Sequence, residues 1–200
     1  MDKKNNGVIA LLIILGILLL GMFWFIGVRN GLVTEKEALK SAWAQVENQY
    51  QRRSDLIPNL VNTVQGYADQ EEETLLQVTQ ARSLATSMNI NFEGEVSAEE
   101  LAAYDSAQGF LSNSLSRLLA ISESYPNLKA NESFLELQSQ LEGTENRIAT
   151  ERGRFNEKVR EFNTSIKLFP KNFIANALGY TEYPYFESDE GSEEVPNVEF

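Results

Sequence analysis

The sequence predicts an all-α protein, with an N-terminal transmembrane helix followed by an elongated antiparallel bundle of three long helices plus a short fourth helix. An uncharged apolar run lies near the N-terminus, and apolar residues after it recur with a heptad-like period. No stretch alternates apolar and polar residues for long enough to predict strands. Long helices joined by short turns must alternate in direction to bury their apolar faces, so we expect an antiparallel arrangement.

The predicted transmembrane helix covers residues 7–28, after an N-terminal tail of residues 1–6. The run contains no charged residue. At about 1.5 Å per residue it crosses the roughly 30 Å hydrocarbon core of a bilayer. Phe23, Trp24 and Phe25 near its end suit the interface between lipid and water. The run is longer than the roughly 7–15 apolar residues of a signal peptide and lacks a small-x-small cleavage site, so we expect an uncleaved anchor.

The charges that flank this run give a small bias in orientation. Lys3, Lys4 and the amino terminus precede the run, whereas Arg29 alone follows it closely. This difference favours a cytoplasmic N-terminus and a domain outside the membrane. Lys36 and Lys40 offset this difference when positive charges farther from the run are counted. The sequence therefore favours only weakly a helical domain on the outer side of the membrane.

The longest predicted helix of the body runs from about Thr34 to Met88 and is bent or broken near Pro58. Its apolar residues repeat about every 3.5 residues, the spacing of coiled coils and of helices packed along a shared seam. Arg53 and Glu71 are the charged exceptions. The two rows of the repeat are Leu39, Val46, Arg53, Leu60 and Tyr67, and Trp43, Tyr50, Ile57, Val64, Glu71, Val78 and Ala85.

A turn at residues 89–96 separates this helix from the second one. Ser97 and Glu100 form a capping box, in which the serine accepts from an N-terminal amide and the glutamate reaches back. The apolar stripe of the second helix consists mainly of leucines and continues to about Ser124. Tyr125 precedes a proline and therefore avoids helical geometry, which ends the helix.

Two more helices complete the predicted domain. Asn131 caps the third helix, and Pro170 ends it. The short fourth helix closes at Gly179, a residue suited to the C-terminal cap. The apolar stripe of the third helix consists of Phe134, Leu137, Leu141, Ile148, Phe155, Val159, Phe162 and Ile166, and the fourth contains Phe173, Ile174 and Leu178.

The composition excludes several classes of activity. The chain contains neither histidine nor cysteine, so thiol nucleophiles, disulfides, Ser-His dyads and ordinary zinc sites are excluded. Catalysis would have to use carboxylates, lysine, tyrosine or an all-oxygen metal site. We therefore predict a protein that is not an enzyme and that has no catalytic residues, cofactor or metal. The net charge of −12 also argues against a nucleic acid partner.

The block from Arg52 to Val61 is the first candidate site for a partner. Pro58 inside a helix removes a backbone hydrogen bond, at a cost of about 3 kcal/mol. In one interpretation, Asp55 caps a new helix, Pro58 falls in its first turn, and Arg52 and Arg53 form local ion pairs. In a second, the bend exposes the two arginines, which grip a carboxylate or phosphate of a partner. A third pairs them with the chain's own acidic tail.

The second candidate is the acidic, aromatic-containing tail of residues 181–200. Its acids alternate with aromatic residues, and no lysine or arginine is present there. One interpretation is that Tyr185 and Phe186 dock on the bundle and leave acids such as Glu187 in solvent. The other is a short linear motif, Val198-Glu199-Phe200. This motif and its terminal carboxylate would bind an exposed sheet edge of a partner or a pocket for a chain-terminal carboxylate.

The ordered segments Arg52–Val61, Tyr125–Asn131 and Pro184–Glu187, together with further landmarks between them, resemble the LemA family of bacterial membrane proteins. The resemblance covers nearly the whole chain, with a tyrosine expected where Phe162 stands. The residues that carry it are Trp43, Arg52-Arg53-Ser54-Asp55-Leu56-Ile57-Pro58-Asn59-Leu60-Val61, Gly66-Tyr67-Ala68, Ala81-Arg82, Tyr125-Pro126-Asn127-Leu128-Lys129-Ala130-Asn131, Phe134, Leu137-Gln138, Phe155-Asn156, Phe162-Asn163, Phe169-Pro170, Pro184-Tyr185-Phe186-Glu187 and Val195-Pro196-Asn197-Val198-Glu199-Phe200.

The resemblance implies an N-terminal anchor, an antiparallel helical domain at residues 34–180 and no established enzymatic activity. We therefore expect a single-pass protein of the bacterial cytoplasmic membrane that acts as an adaptor or assembly scaffold. Its partners would be the bilayer, through residues 7–28, other proteins, and possible further copies of itself. The alternative is a ligand-sensing module that binds a peptide or anion near Arg52 and Arg53.

Overall fold

The computed structural model describes residues 3–68, 70–92 and 96–187. All regular secondary structure in these ranges is helical, which confirms the predicted fold class. A 3₁₀ turn at Ser122–Ser124 separates the third and fourth helices. The helices are α1 (Lys3–Gln65), α2 (Glu72–Ser87), α3 (Ala98–Ile121), α4 (Pro126–Lys129), α5 (Glu132–Lys167) and α6 (Lys171–Ala177).

The chain divides into two units. Of the described residues, the first unit combines those up to residue 41 with residues 158–182, and the second combines those between 42 and 157 with residues 183–187. The first unit contains the apolar part of α1, the one helix in the described part of the chain that is long and apolar enough to cross a membrane. The large apolar side chains between Leu11 and Ile26 are exposed, as an anchor requires.

Beyond this run, α1 packs within the first unit. Val28, Leu32 and Leu39 are buried. They follow one another at intervals of four and seven residues, so they lie on one face of the helix. The last part of α5 contributes buried apolar residues to the same unit, and α6 contributes Ile174 and Ala175.

The predicted C-terminal cap of the fourth helix is confirmed at Gly179. This glycine has a φ of 73°, a conformation in which a side chain would be strained. The amide of Gly179 donates to the carbonyl of Asn176, and the amide of Tyr180 donates to that of Ala175. These two bonds form a Schellman motif, which satisfies the last carbonyls of α6.

The second unit is an up-down-up-down bundle of α1, α2, α3 and α5. The antiparallel pairing of α3 with α5 is fixed at Asp105–Arg152 and at Ser112–Glu145. The pairing of α2 with α3 is likewise antiparallel, because Ala85 contacts Gln108 whereas Glu71 contacts Tyr125. The core of the bundle includes Ile57, Leu60, Val64, Val78, Leu111, Leu118, Phe134 and Leu141.

The prediction of one helix from Thr34 to Met88, interrupted near Pro58, is wrong. α1 continues through Pro58 to Gln65, and the break lies between Gln65 and Glu72. The amides of Tyr67 and Ala68 both donate to the carbonyl of Val64, which closes a turn and reverses the chain. The bundle therefore contains four long helices where the sequence predicted three.

Two predicted N-terminal caps are confirmed. The hydroxyl of Ser97 accepts from the amide of Glu100 at 3.1 Å, and the Glu100 carboxylate accepts from the amide of Ser97 at 3.0 Å. Oδ1 of Asn131 accepts from the amide of Phe134 at 2.9 Å. Each cap satisfies amides at a helix start that have no partner within the helix.

Candidate functional site

Arg53 is the centre of a buried polar network in the second unit. Its side chain is 1% exposed. Nη1 donates to Glu145 Oε1 at 2.7 Å and to Ser112 Oγ at 2.6 Å. Nη2 donates to Gln108 Oε1 at 2.6 Å and to the Gln108 carbonyl at 3.3 Å. The guanidinium of Arg53, on α1, is thus bonded to α3 and α5, and the carboxylate that it binds, that of Glu145, belongs to the same chain.

Pro58 and Arg82 form a second contact that links helices of this unit. Proline has no amide hydrogen, so the carbonyl four residues earlier, that of Ser54, loses its bond within the helix. Nε of Arg82, on α2, donates to this carbonyl at 2.8 Å. The arginine replaces the missing amide, and α1 therefore continues through Pro58 without a new start.

This arrangement corrects the predicted role of Asp55. Asp55 lies inside α1 and caps no helix; it is exposed, and its Oδ1 accepts from Gln51 Nε2 at 2.8 Å. Arg52 is also exposed. Because the side chains of Arg52 and Arg53 point in different directions around α1, the two arginines do not form one cluster.

We predict that Arg82→Leu lowers the free energy of unfolding by about 1–3 kcal/mol, because the buried Ser54 carbonyl loses its donor. The loss should be much smaller in a Pro58→Ala background, where the substituted alanine supplies a backbone amide to that carbonyl. Urea unfolding of the full chain in detergent, followed by far-UV circular dichroism, measures both values. Equal losses in the two backgrounds would show that Arg82 does not compensate for the proline.

A polar groove borders Arg53 between α3 and α5. It encloses about 770 Å³, and its walls include Arg53, Ser106, Gly109, Asn113, Arg152 and Gly153. Arg152 Nη1 lies 2.9 Å from Asp105 Oδ1. Both arginines of the groove are thus held by carboxylates of the same chain, so an anion would have to compete with Glu145 and Asp105.

Burial changes the acidity of two tyrosines close to this network. Burial raises the pKa of Tyr50 to about 12, and the pKa of Tyr104 is also raised, mainly by burial. The hydroxyl of Tyr50 is buried without a hydrogen-bond partner, and the guanidinium of Arg53 lies 5.1 Å from the centre of its ring. Both tyrosines are therefore neutral in the folded protein at physiological pH.

These shifts predict unfolding in alkali. Between the ordinary tyrosine pKa of 10 and the folded value of about 12, the folded chain keeps protons that the unfolded chain releases. The contribution of each such tyrosine to the free energy of unfolding is therefore fully present below pH 10. It falls by about 1.4 kcal/mol per pH unit as the pH rises above this value. Far-UV circular dichroism across this range measures the fall. Tyr50→Phe should make it shallower, and an unchanged pH profile would contradict this assignment.

Six aromatic residues pack together in the second unit and form what we call the aromatic cluster. Its central member is Trp43, whose ring centre lies 4.7 Å from that of Phe92 and 5.8 Å from that of Phe186. Helices, the α2–α3 connection and the C-terminal segment all contribute to it. The members are Trp43, Phe92, Tyr104, Phe155, Tyr183 and Phe186.

Asn156 holds the C-terminal segment at residues 183–187. Its Nδ2 donates to the Phe186 carbonyl, and its Oδ1 accepts from the Phe186 amide, each at 2.9 Å. Arg152 Nη2 donates to the Glu187 carbonyl at 3.2 Å, and its guanidinium lies 4.4 Å from the centre of the Phe186 ring. An extended segment without helical bonds of its own is thereby bound to α5.

We predict that Asn156→Ala releases this segment, because both backbone groups of Phe186 lose their partner. Hydrogen exchange of the Phe186 amide should accelerate, and the free energy of unfolding should fall by about 1–3 kcal/mol. Hydrogen-exchange mass spectrometry of the full chain measures the first effect. Asn146→Ala, at an exposed position of the same helix, is the control. Unchanged exchange at residues 183–187 would contradict the assigned role of Asn156.

The tail candidates fall into three groups. Phe186 is buried in the aromatic cluster and Glu187 is exposed, as the docking interpretation requires. Tyr185 is exposed, so the prediction that it also docks on the bundle is wrong. Val198 and Phe200 lie outside the described residues. Sequence reasoning missed Arg82, Gln108, Glu145 and Arg152 as members of the site. The only available signal was the buried position of Arg53 in a heptad row, which requires an acidic partner on another helix.

Among the residues that the structure describes, no group of three or more acidic side chains is arranged to hold a metal ion. Glu71, the first acid of the run 71–73, accepts a hydrogen bond from the Tyr125 hydroxyl at 3.1 Å. Glu72 and Glu73 are exposed in the first turn of α2, where acids interact favourably with the helix dipole.

Comparison with known proteins relates this chain to one family. The model of the LemA family matches residues 42–200. Protein LemA of Metamycoplasma hominis is 26% identical over 176 residues, which cover 87% of this chain and 76% of that protein. Magnetosome protein MamQ of Magnetospirillum gryphiswaldense is 25% identical over 173 residues, which cover 78% of this chain but only 64% of MamQ. None of these names denotes a chemical reaction.

Proposed function

Because this chain belongs to the LemA family, we propose that it acts as a membrane-anchored adaptor or assembly scaffold in bacteria and catalyses no reaction. In this proposal α1 supplies the anchor, and the second unit supplies the surface that partner proteins contact. The observation that carries the proposal is the network of Arg53, in which Nη1 and Nη2 donate to Glu145, Ser112 and Gln108 of the same chain. Arg53, the buried charge of the Arg52–Val61 block, is bonded to groups of its own chain, so we assign it to the stability of the bundle and not to a partner.

The surface that we assign to partners lies on the outer sides of α2 and α3. Leu76, Leu84 and Phe110 are about half exposed there. Gln108 Nε2 donates to the Ala85 carbonyl, which places Leu84 and Phe110 at the same level of the two helices. Single exposed apolar residues are ordinary on protein surfaces, so the choice rests on this grouping. We call these three residues the α2–α3 surface.

Photocrosslinking in cells tests this surface. A photoreactive phenylalanine analogue replaces Leu84 or Phe110 in the full-length chain, and Thr150, which is exposed on α5, is the matched control position. We expect both positions of the α2–α3 surface to crosslink to the same protein, and Thr150 to give no such product. Equal products at all three positions, or none at Leu84 and Phe110, would contradict the assignment.

The proposal places the protein in the bacterial cytoplasmic membrane with the second unit outside. The likeness to MamQ, named as a magnetosome protein, supports a role at a bacterial membrane. Because the chain contains no cysteine, Thr150→Cys provides a single reactive thiol. A membrane-impermeant maleimide should label it in intact cells. Labelling only after lysis would show that the second unit is cytoplasmic.

Self-association through the α2–α3 surface is part of the scaffold proposal. Helices with exposed apolar residues can pair laterally, and a second copy is then one of the partners that the surface binds. Light scattering of the detergent-solubilised full chain measures its mass. A strictly monomeric protein would remove self-association and leave binding to other proteins as the scaffold's activity.

A second candidate function is the sensing of a peptide. One observation favours it: the second unit already binds an extended segment, residues 183–187, through Asn156 and Arg152, beside a groove of about 770 Å³. A peptide of the same sequence should then displace the segment. Calorimetric titration of this peptide, and of inorganic phosphate for the anion alternative, into the full chain tests the idea. Titration of the Arg52→Ala variant with the same two ligands shows whether the exposed side chain of Arg52 contributes to their binding.

A further inference from the structure

An exposed apolar patch lies at the turn between α5 and α6, in the first unit. We call it the α5–α6 patch, and it consists of Leu168, Phe169 and Phe173. Phe169 is 78% exposed and Phe173 is 66% exposed. Their rings meet edge to face with centres 5.9 Å apart. Two neighbouring aromatic rings with this much exposed surface are characteristic of an interaction site.

Contacts of Tyr180 show where this patch lies along α1. The Tyr180 ring centre is 5.8 Å from that of Phe162, on α5. Nζ of Lys36, on α1, lies 5.9 Å from the centre of the same Tyr180 ring. Phe162 and Lys36 therefore lie at nearly the same level of the two helices.

The direction of α5 follows from burial on α1. Val28 and Leu32 are buried, and in the described part of this unit only the end of α5 and the segment with α6 can cover them. α5 must therefore run from the level of Lys36 toward Val28. Six residues separate Phe162 from Leu168, a rise of about 9 Å. Leu168, the first residue of the patch, thus lies at about the level of Asn30, close to the end of the uncharged run of α1, and Lys171 lies near Glu35.

We propose that the α5–α6 patch inserts into the boundary between headgroups and acyl chains of the same membrane that α1 spans. The bilayer is the occupant because the patch begins close to the level at which the apolar run of α1 ends, where Trp24 is expected to mark the membrane interface. Lys167 and Lys171, on either side of the turn, are paired with Glu182 and Glu35 of the same unit, so the proposal rests on the exposed apolar side chains. This inference rests on the anchor in the proposed function, and it adds a second lipid contact to it.

The absence of cysteine allows one fluorescent label at a time in the full chain. The environment-sensitive dye NBD is attached to Phe169→Cys or Phe173→Cys, and the protein is reconstituted into phosphatidylcholine–phosphatidylglycerol vesicles. Lipids with a nitroxide near the headgroup should quench both labels several-fold more than they quench a label on Thr181→Cys. Thr181 is exposed and adjoins Tyr180, farther from the end of the apolar run.

Two further outcomes separate the patch from the anchor. A label on Leu18→Cys should be quenched by lipids with a nitroxide near the chain end; if it is not, the anchor fails and the proposed function with it. If Leu18 is quenched but labels at Phe169 and Phe173 respond only to aqueous iodide, the patch proposal alone is overturned. A blue shift at these positions without quenching by lipid would place protein over the patch and would also overturn it.

Discussion

Glu145→Met is expected to lower the free energy of unfolding by about 3 kcal/mol, because it leaves the buried guanidinium of Arg53 without a counter-charge. The reverse change, Arg53→Met, should cost less, about 1–2 kcal/mol. The side chain of Glu145 is 41% exposed, so its carboxylate can turn to water once the arginine is gone. The remaining cost comes from Gln108, whose carbonyl oxygens lose their donor.

The double variant with both changes should be about as stable as Arg53→Met alone, so the two effects are strongly non-additive. Urea unfolding of the full chain in detergent, followed by far-UV circular dichroism, gives all three values. Arg52→Ala, at the neighbouring exposed position, is the control and should change stability by less than about 0.5 kcal/mol. Additive effects of the two substitutions would contradict the assigned pairing.

Trp43→Ala is the second substitution with a large expected effect, a loss of about 3–5 kcal/mol. Trp43 is buried, and its ring contacts those of Phe92, Tyr104, Phe155 and Phe186. The substitution would also remove the indole ring on which the Phe186 ring stacks, with an angle of 17° between the planes of the two rings. Residues 183–187 should therefore become susceptible to limited proteolysis.

Phe110→Ala is the matched control, because it removes an aromatic ring that is about half exposed. It should change stability by less than about 1 kcal/mol and leave the proteolysis of residues 183–187 unchanged. A loss below about 1 kcal/mol for Trp43→Ala, or an intact C-terminal segment in this variant, would show that the aromatic cluster does not secure the segment.

Much of the fold could be predicted from local sequence signals. The heptad rows, the Ser97 capping box and the cap at Gly179 each depend on residues close together in the chain. The continuity of α1 through Pro58 could not be predicted this way, because it depends on Arg82 of another helix. The turn after Gln65 was missed for a related reason. The heptad rows continue across it through Tyr67 and Glu71, although neither residue lies in a helix.

The site was predicted less completely than the fold. Sequence reasoning identified Arg53 as a charged exception in an apolar row, but the identity of its partner depends on register between α1, α3 and α5. Glu145 is 92 residues away in the chain, and nothing local distinguishes it from the other acids of α5. For the tail, composition identified Phe186 as a docking candidate but gave no information on Asn156, whose amide binds the Phe186 backbone.

The most direct test of the central claim is photocrosslinking in the folded double variant, Arg53→Met with Glu145→Met. The claim is that the Arg52–Val61 block stabilises the bundle and that partners contact the α2–α3 surface. We predict that, once circular dichroism shows the variant to be folded, the crosslinking yields at Leu84 and Phe110 equal those of the unmodified chain. Loss of both crosslinks in a folded double variant would contradict this claim, because it would make Arg53 a residue that binds the partner.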